Sequence, residues 1–177
     1  MKVLSASQTV GPYFKIGLDW PDGNRLVTGG AVAGVIALTG RVLDGDGAPV
    51  SDAMIEIWQA DTHGRYASAT RDTGAFTGFG RCGTAQEGAF RFETVKPGAT
   101  AAGRAPHINV AVFARGLLTH LYTRIYFAED ASLHASDPVL ARVPTARRAT
   151  LIARGAAPSL VFDIHLQGAR ETVFFAV

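Results

Sequence analysis

The sequence is poor in the features that mark several large classes of protein. It contains one cysteine, Cys82, which excludes an intrachain disulfide and a zinc site built from several cysteines. No run of lysine and arginine occurs and the formal charge is only +2, so nothing favours nucleic acid or a membrane as partner. The apolar run at 31–38 is far too short to span a bilayer, and residues 1–10 lack the apolar core of a signal peptide. We therefore expect a cytoplasmic protein.

Strong helical periodicity is also absent, and short stretches rich in branched residues alternate with turn residues instead. The 177 residues, of which 47% are hydrophobic, suffice for one domain with a sizeable core. This pattern predicts an all-β fold, an antiparallel β-sandwich of short strands or the related barrel. Hairpins are expected between 81–84 and 89–95 and between 106–113 and 118–127. The other predicted strands are 32–43, 53–61, 149–153, 159–166 and 172–175.

Residues 1–30 form an irregular N-terminal arm that precedes the predicted β-sandwich domain at 31–177. The arm mixes hydroxyl groups, aromatic side chains and the pair Gly11-Pro12, which indicates a loop with an extended entry. A segment of this kind has no core of its own. It must lie against its own domain or against a partner.

The stretch 104–113 has the clearest chemical pattern in the chain. Strand alternation places His107 and Asn109 on one face, roughly 7 Å apart, and Ile108 and Val110 on the other. Two histidines at that spacing would be a pair of metal ligands, but asparagine is a poor ligand for a transition metal. Tyr66 follows the strand 53–61 and could reach a site, although a lone tyrosine there is more often a rim residue. We therefore expect no tightly held metal in this chain alone.

Two arginines are candidates for holding a carboxylate with paired hydrogen bonds. Arg115 is expected at a strand end or turn, and Arg124 lies on the next predicted strand. Arg115 is the better placed, because a turn can project into a cleft at an interface, although a solvated arginine is the more common outcome for such a residue. The remaining histidines show no metal-ligand spacing.

The chain resembles the intradiol ring-cleavage dioxygenases, and the resemblance covers nearly its whole length in the family's order. It is carried by the blocks Ser7-Gln8-Thr9-Val10-Gly11-Pro12-Tyr13, Gly40-Arg41-Val42 with Val50-Ser51-Asp52-Ala53 and Ile57-Trp58-Gln59-Ala60-Asp61, Val95-Lys96-Pro97-Gly98 with Ala105-Pro106-His107-Ile108-Asn109 and Arg115-Gly116, and Glu171-Thr172-Val173-Phe174-Phe175.

The resemblance implies a metal site that has lost half of its ligands. In the family, catalytic subunits hold non-haem Fe(III) through two tyrosines and two histidines, and these positions fall on Tyr66, Thr100, His107 and Asn109. A hydroxyl and an amide cannot replace a phenolate and an imidazole on a ferric ion. The chain thus resembles a non-iron-binding α subunit, inactive alone, whose Fe(III) is held by a partner β subunit.

The same resemblance implies what such a subunit contributes to the enzyme. The active site is expected at the interface with the β subunit, where the arm at 1–30 packs and higher-order (αβ)n assembly follows. The substrates would be O2 and a small aromatic carboxylate. The implied substrate-binding residues are Arg115, Thr9, Gly11, Pro12 and Tyr13, with the arginine steering and holding the carboxylate.

Two alternatives stay open at this point. The chain could be a self-contained enzyme of the family, with Tyr66, His107 and either His63 or His120 as an altered ligand set. It could instead be a non-catalytic β-sandwich binding or scaffold module with a vestigial metal site. Metal content separates the first alternative, and failure to form a complex with a β subunit would favour the second.

Overall fold

The computed structural model describes residues 5–29, 32–67 and 75–176. No helix within these ranges is long and apolar enough to cross a membrane. The strands are β1 (Val35–Leu43), β2 (Met54–Gln59), β3 (Phe79–Gly83), β4 (Ala89–Val95), β5 (His107–Phe113), β6 (Leu121–Phe127), β7 (Ile152–Ala156), β8 (Ser159–Val161) and β9 (Ile164–His165). The helices are α1 (Pro12–Leu18), α2 (Ala131–His134) and α3 (Thr145–Arg148), with short 3₁₀ turns at Ala128–Asp130, Leu140–Arg142 and Ala149–Leu151.

The strands form one strongly curved sheet in the order β3-β2-β5-β6-β7-β8-β1-β4, with β9 beside β1. The all-β prediction is confirmed, but the pairing is mixed and not purely antiparallel. The β6–β7, β1–β8 and β1–β9 pairs are parallel, and each joins strands that are separated by the long connection that parallel pairing requires. The end strands β3 and β4 contact each other, so the sheet curls towards closure.

A segment of the N-terminal region closes the gap between those end strands. The Arg81 amide donates to the Gly23 carbonyl at 2.7 Å, and the Leu26 amide donates to the Glu93 carbonyl at 2.8 Å. The predicted hairpin between β3 and β4 is therefore wrong: its turn forms, but the strands diverge and residues 23–26 lie between them. The Leu26 side chain is fully buried in the core.

The arm is less irregular than predicted, because it contains α1. Pro12 starts this helix, where its fixed φ is already helical and its missing N–H costs nothing. At seven residues the helix is too short to show a periodic pattern in the sequence.

Strand β5 has the alternation that its sequence predicts. Ile108, Val110 and Val112 are buried in the main core, and each such aliphatic side chain contributes roughly 1.5–3 kcal/mol on burial. The predicted antiparallel hairpin with β6 is confirmed, with Asn109 opposite Arg124. The predicted strand at 172–175 is reduced to a single bridge between Tyr122 and Phe175.

A second, smaller core lies on the outer face of β6, under the helical turns of residues 128–151. Asp137 organises it by accepting hydrogen bonds from the backbone amides of Val139 and Leu140 at 2.9 Å each and from that of Ala105 at 3.0 Å. The Tyr126 hydroxyl donates to the same carboxylate at 3.2 Å. Burial by itself would raise the pKa of Asp137, but these donors outweigh it and hold the pKa below its usual value.

Candidate functional site

The outer face of the sheet carries the residues singled out as former metal ligands. In the antiparallel register Trp58 on β2 lies opposite Asn109 on β5, which lies opposite Arg124 on β6. Directly paired residues point to the same face, so these three side chains form a row across the sheet. His107, two residues before Asn109, lies on that face as well.

His107 is 4% exposed and packs against Tyr126, with 5.7 Å between the ring centroids. Its Nδ1–H donates to the Ala105 carbonyl at 2.9 Å, which leaves Nε2 as the unprotonated nitrogen of the neutral ring. Burial lowers the pKa of His107, and the nearby Arg124 guanidinium lowers it further, against the opposing effect of the Ala105 carbonyl. The ring therefore has the tautomer that a metal-ligating histidine uses.

Asn109 connects the face to the loop that carries Tyr66. Its Nδ2 donates to the Tyr66 hydroxyl and to the Trp58 carbonyl, both at 3.1 Å. Its Oδ1 accepts a hydrogen bond from Nε of Arg124, also at 3.1 Å. One amide thus joins a phenol to a guanidinium.

The loop before Tyr66 is shaped by Asp61. Its Oδ1 accepts the backbone amides of His63 and Arg65 at 2.9 Å each, and its Oδ2 pairs with the Arg65 guanidinium. Burial alone would raise the pKa of Asp61, but these donors outweigh it and lower the pKa. The Tyr66 ring meets Trp58 edge to face at 5.8 Å.

Two glycines let the Tyr66 loop interlock with the loop that carries Thr100. Gly64 has φ +76°, and a Cβ there would lie 2.0 Å from the Ala99 carbonyl oxygen. A Cβ on Gly98 would lie 2.5 Å from the Thr62 carbonyl oxygen. The structure therefore brings the backbone of Thr100 against the turn before Tyr66, next to the face that carries His107 and Asn109.

The donor set does not fit a ferric ion. The Tyr66 hydroxyl accepts an amide N–H, and a guanidinium cation lies beside that same amide. In the part of the chain that the structure describes, no group of three or more His, Cys, Asp or Glu side chains could hold a metal. His120 packs on Phe113 at the other end of β5 from His107, with 5.1 Å between the ring centroids, so it cannot join His107 around one ion.

The predicted substrate-binding residues lie in a second region, at that other end of β5. The Gly116 amide donates to the Thr9 hydroxyl at 2.8 Å, which ties the arm to the turn of Arg115. Gly11 is the extended residue before α1, Pro12 begins the helix, and the Tyr13 side chain is 82% exposed. Phe14 anchors the helix on Phe113 with ring centroids 5.3 Å apart.

Arg115 makes an ion pair through Nε with Asp52, and its side chain is 65% exposed. Strand rise puts this turn roughly 25 Å along β5 from His107. The structure therefore brings Arg115 together with the arm and keeps both apart from the former metal ligands.

Sequence reasoning considered Arg124 only as a carboxylate binder and missed its bond to Asn109. The register of β5 against β6, with Asn109 opposite Arg124, is the signal that could have found it. The structure also shows exposed aromatic side chains on the same outer face: Trp58 is 55%, Phe79 38% and Tyr122 37% exposed.

The sequence matches the family model Dioxygenase_C, described as dioxygenase, over residues 10–168. The chain belongs to this dioxygenase family, which confirms the resemblance to the intradiol enzymes.

Relatives within the family are close. The chain is 49% identical to the protocatechuate 3,4-dioxygenase alpha chain of Burkholderia cepacia, over 97% of this chain and 96% of that one. It is 38% identical to the beta chain from the same organism, over 84% of this chain and 71% of that one. A solved dioxygenase domain from Streptomyces sp. SirexAA-E superposes with a TM-score of 0.65 at 30% identity, covering 93% of this chain and 100% of that domain.

Proposed function

We propose that the chain is the non-iron-binding α subunit of a protocatechuate 3,4-dioxygenase. The enzyme would cleave 3,4-dihydroxybenzoate with O2 to 3-carboxy-cis,cis-muconate, breaking the ring bond between the two hydroxyl-bearing carbons and adding both oxygen atoms. The observation that carries the proposal is the 49% identity, over 97% of this chain, to a protein named as the alpha chain of that enzyme. The loss of phenolate and imidazole at Thr100 and Asn109 supports it.

Catalysis in this proposal depends on a partner. Fe(III) in a β subunit supplies the activation of the bound catecholate towards O2. This chain supplies binding and exclusion of water from the partner's site. The named alpha and beta relatives support a hetero-oligomer of two related chains, and repetition of that unit would give an (αβ)n assembly.

Arg115 would hold the carboxylate of the substrate. Its Nε pairs with Asp52 and its side chain is 65% exposed, and the end of the guanidinium with the two terminal nitrogens would form two parallel hydrogen bonds with the substrate carboxylate. The Asp52 pair would orient the fork, and an exposed pair of this kind costs little to readjust. The cation would also attract the anionic substrate to the mouth of the site.

The arm at 1–30 would close the pocket of the β subunit. The Thr9–Gly116 bond joins the arm to the arginine turn, and Tyr13 projects from the chain without burying its ring. Thr9, Gly11, Pro12 and Tyr13 are thus assigned to the pocket wall. Exposed Ile16, at 70%, extends the apolar surface available for the partner.

The exposed aromatics on the outer sheet face support a large contact with the β subunit as well. Trp58 on β2 lies opposite Phe79 on β3, and Tyr122 is on β6, beyond β5 on the same face. Tryptophan and tyrosine are enriched at the centres of protein interfaces. A cytoplasmic location is part of the proposal, in keeping with a single unpaired thiol.

The test is to purify the chain alone and with its β partner, and to measure iron and O2-dependent loss of 3,4-dihydroxybenzoate. We expect colourless, iron-free, inactive protein alone and a red, active ferric complex with the β subunit. Stoichiometric iron and activity in the lone chain would mean a self-contained enzyme. Failure to form any complex would favour a scaffold module instead.

A further inference from the structure

The former metal site contains a cation of its own. Starting from Tyr66, the hydrogen bonds run from the phenol to the Asn109 amide and from the amide to Arg124, each at 3.1 Å. Arg124 also lies close enough to the buried His107 to interact with it electrostatically. Two of the implied ligand positions therefore connect to this guanidinium: Asn109 bonds to it directly, and Tyr66 bonds to Asn109.

The guanidinium is held inside the site and does not simply extend into solvent. Its Nη1 atom is buried and has no hydrogen-bond partner among the residues that the structure describes. Burying an N–H of a charged group without an acceptor costs free energy. The other contacts of the guanidinium must offset this cost. Two oxygen atoms interact with other parts of the guanidinium: the Asn109 carbonyl oxygen accepts from Nε, and the Tyr126 hydroxyl lies near enough to interact with the group.

We infer that the Arg124 guanidinium is the resident cation of the former metal site and that its charge excludes a metal ion from it. A ferric ion bound by two phenolates and two imidazoles keeps a net positive charge, and a guanidinium hydrogen-bonded to a residue at one of the ligand positions would repel it. The loss of metal binding therefore has two parts: missing donors at Thr100 and Asn109, and a positive charge at Arg124. Restoring the donors alone would not restore the site.

This inference deepens the proposed function, on which it rests for the correspondence of Tyr66, Thr100, His107 and Asn109 with metal ligands. It does not depend on a β subunit. The experiment uses the full chain by itself, so a failure of subunit pairing would leave its readout unchanged.

The experiment starts from the donor-restored chain, which carries Thr100→Tyr and Asn109→His. It is compared with the same chain carrying Arg124→Gln, which removes the charge at similar size, or Arg124→Lys, which keeps it. Arg142→Gln is the matched control, because Arg142 lines the same cleft of about 260 Å³ beside Arg124. Each protein is loaded with ferrous iron in air, freed of excess metal and assayed for iron per chain and for tyrosinate-to-iron absorption in the visible range.

We expect the Arg124→Gln chain to bind iron at least about 100-fold more tightly than the donor-restored chain, from the repulsion of one nearby unit charge. The Arg124→Lys and Arg142→Gln chains should resemble the donor-restored chain. Equal iron in the chains with and without Arg124 would overturn the inference. So would an iron-free Arg124→Gln chain whose circular dichroism and melting show a native fold.

A second measurement avoids the restored ligands, in case the multiple variants do not fold. Cu(II) binds imidazole and phenolate strongly, so it can probe Tyr66 and His107 in the natural sequence. Arg124→Gln should bind Cu(II) at least about tenfold more tightly than the unaltered chain, at a site that His107→Gln abolishes. The same Cu(II) affinity with and without Arg124 would contradict the inference.

Discussion

Replacement of Arg115 by alanine is the sharpest test of how this chain serves its partner. In a reconstituted αβ complex, Arg115→Ala removes the fork proposed to hold the substrate carboxylate and leaves the iron in the β subunit untouched. The Asp52 carboxylate then loses its ion-pair partner at the surface, where such a pair contributes about 0–1 kcal/mol, so the chain should remain folded.

The size of the effect follows from the two terminal nitrogens. Hydrogen bonds to charged groups contribute about 1.5–3 kcal/mol each, but the side chain is 65% exposed in the isolated chain, and water screens it. We therefore assign about 2 kcal/mol to the paired bonds at a partly covered interface, which corresponds to a roughly 30-fold rise in KM. The kcat should change less than about threefold, because the reacting ring carbons lie away from the carboxylate.

The assay is steady-state O2 uptake with 3,4-dihydroxybenzoate, together with iron analysis of each complex. Arg154→Ala is the matched control, since Arg154 on β7 is a similarly exposed arginine, at 68%, in an ion pair with Asp163, which lies between β8 and β9. Arg115→Lys keeps the charge without the fork and should recover part of the affinity. An unchanged KM for Arg115→Ala, or iron lost in proportion to activity, would refute the proposed role.

Three further predictions concern the elements that support the two regions. Asp137→Ala should lower the free energy of unfolding by about 3 kcal/mol, since it leaves buried donors without an acceptor. Chemical denaturation measures this change, and a loss of less than about 1 kcal/mol would contradict the role of the carboxylate. Because folding lowers the pKa of Asp137, its contribution is present above the unfolded pKa of 3.8 and is lost as the pH falls through the folded value, so the alanine variant should show a flatter loss of stability in acid than the natural chain. Gly64→Ala should lower the free energy of unfolding by about 2–4 kcal/mol, because Gly64 has a positive φ and lies against the Ala99 carbonyl. Gly116→Ala is the control and should lower it by about 1 kcal/mol, because Gly116 has open space around it. Equal melting temperatures for the two variants would show that the loops do not interlock. Thr9→Val removes the acceptor for the Gly116 amide and should increase proteolysis of the arm in the isolated chain; an unchanged cleavage rate would mean that the bond does not hold the arm.

The sequence predicted those parts of the fold that depend on local pattern. Alternation in β5 predicted the two faces of the strand: Ile108 and Val110 point into the main core, and His107 and Asn109 lie on the opposite face, where His107 is buried against Tyr126. The β5–β6 hairpin followed from its turn at Arg115-Gly116. These features depend on neighbours a few residues apart, which a single sequence displays directly.

The features that were wrong or missed depend on contacts between distant residues. The parallel pairing of β6 with β7 and the insertion of residues 23–26 between β3 and β4 join segments far apart in the sequence. No local pattern distinguishes such pairing from a hairpin, so the turn at 85–89 was assigned to one. Helix α1 was not predicted, because at seven residues it is too short to show a periodic pattern.

For the candidate site as well, the residues could be predicted from the sequence but their contacts could not. The resemblance supplied the residues Tyr66, His107 and Arg115, and the structure supplies their arrangement. That Asn109 bonds to both Tyr66 and Arg124 follows from strand register and from the interlocked loops, neither of which the spacing of residues in the sequence reveals.

The length of β5 has a consequence for how this chain can change over generations. The strand holds His107 and Asn109 at its start and leads to the arginine turn just beyond its end, roughly 25 Å away. Substitutions that far apart act independently in most cases. A substitution at His107 or Asn109 is therefore expected to leave the stability of the arginine turn unchanged, and a substitution in the turn to leave that of the opposite end of β5 unchanged.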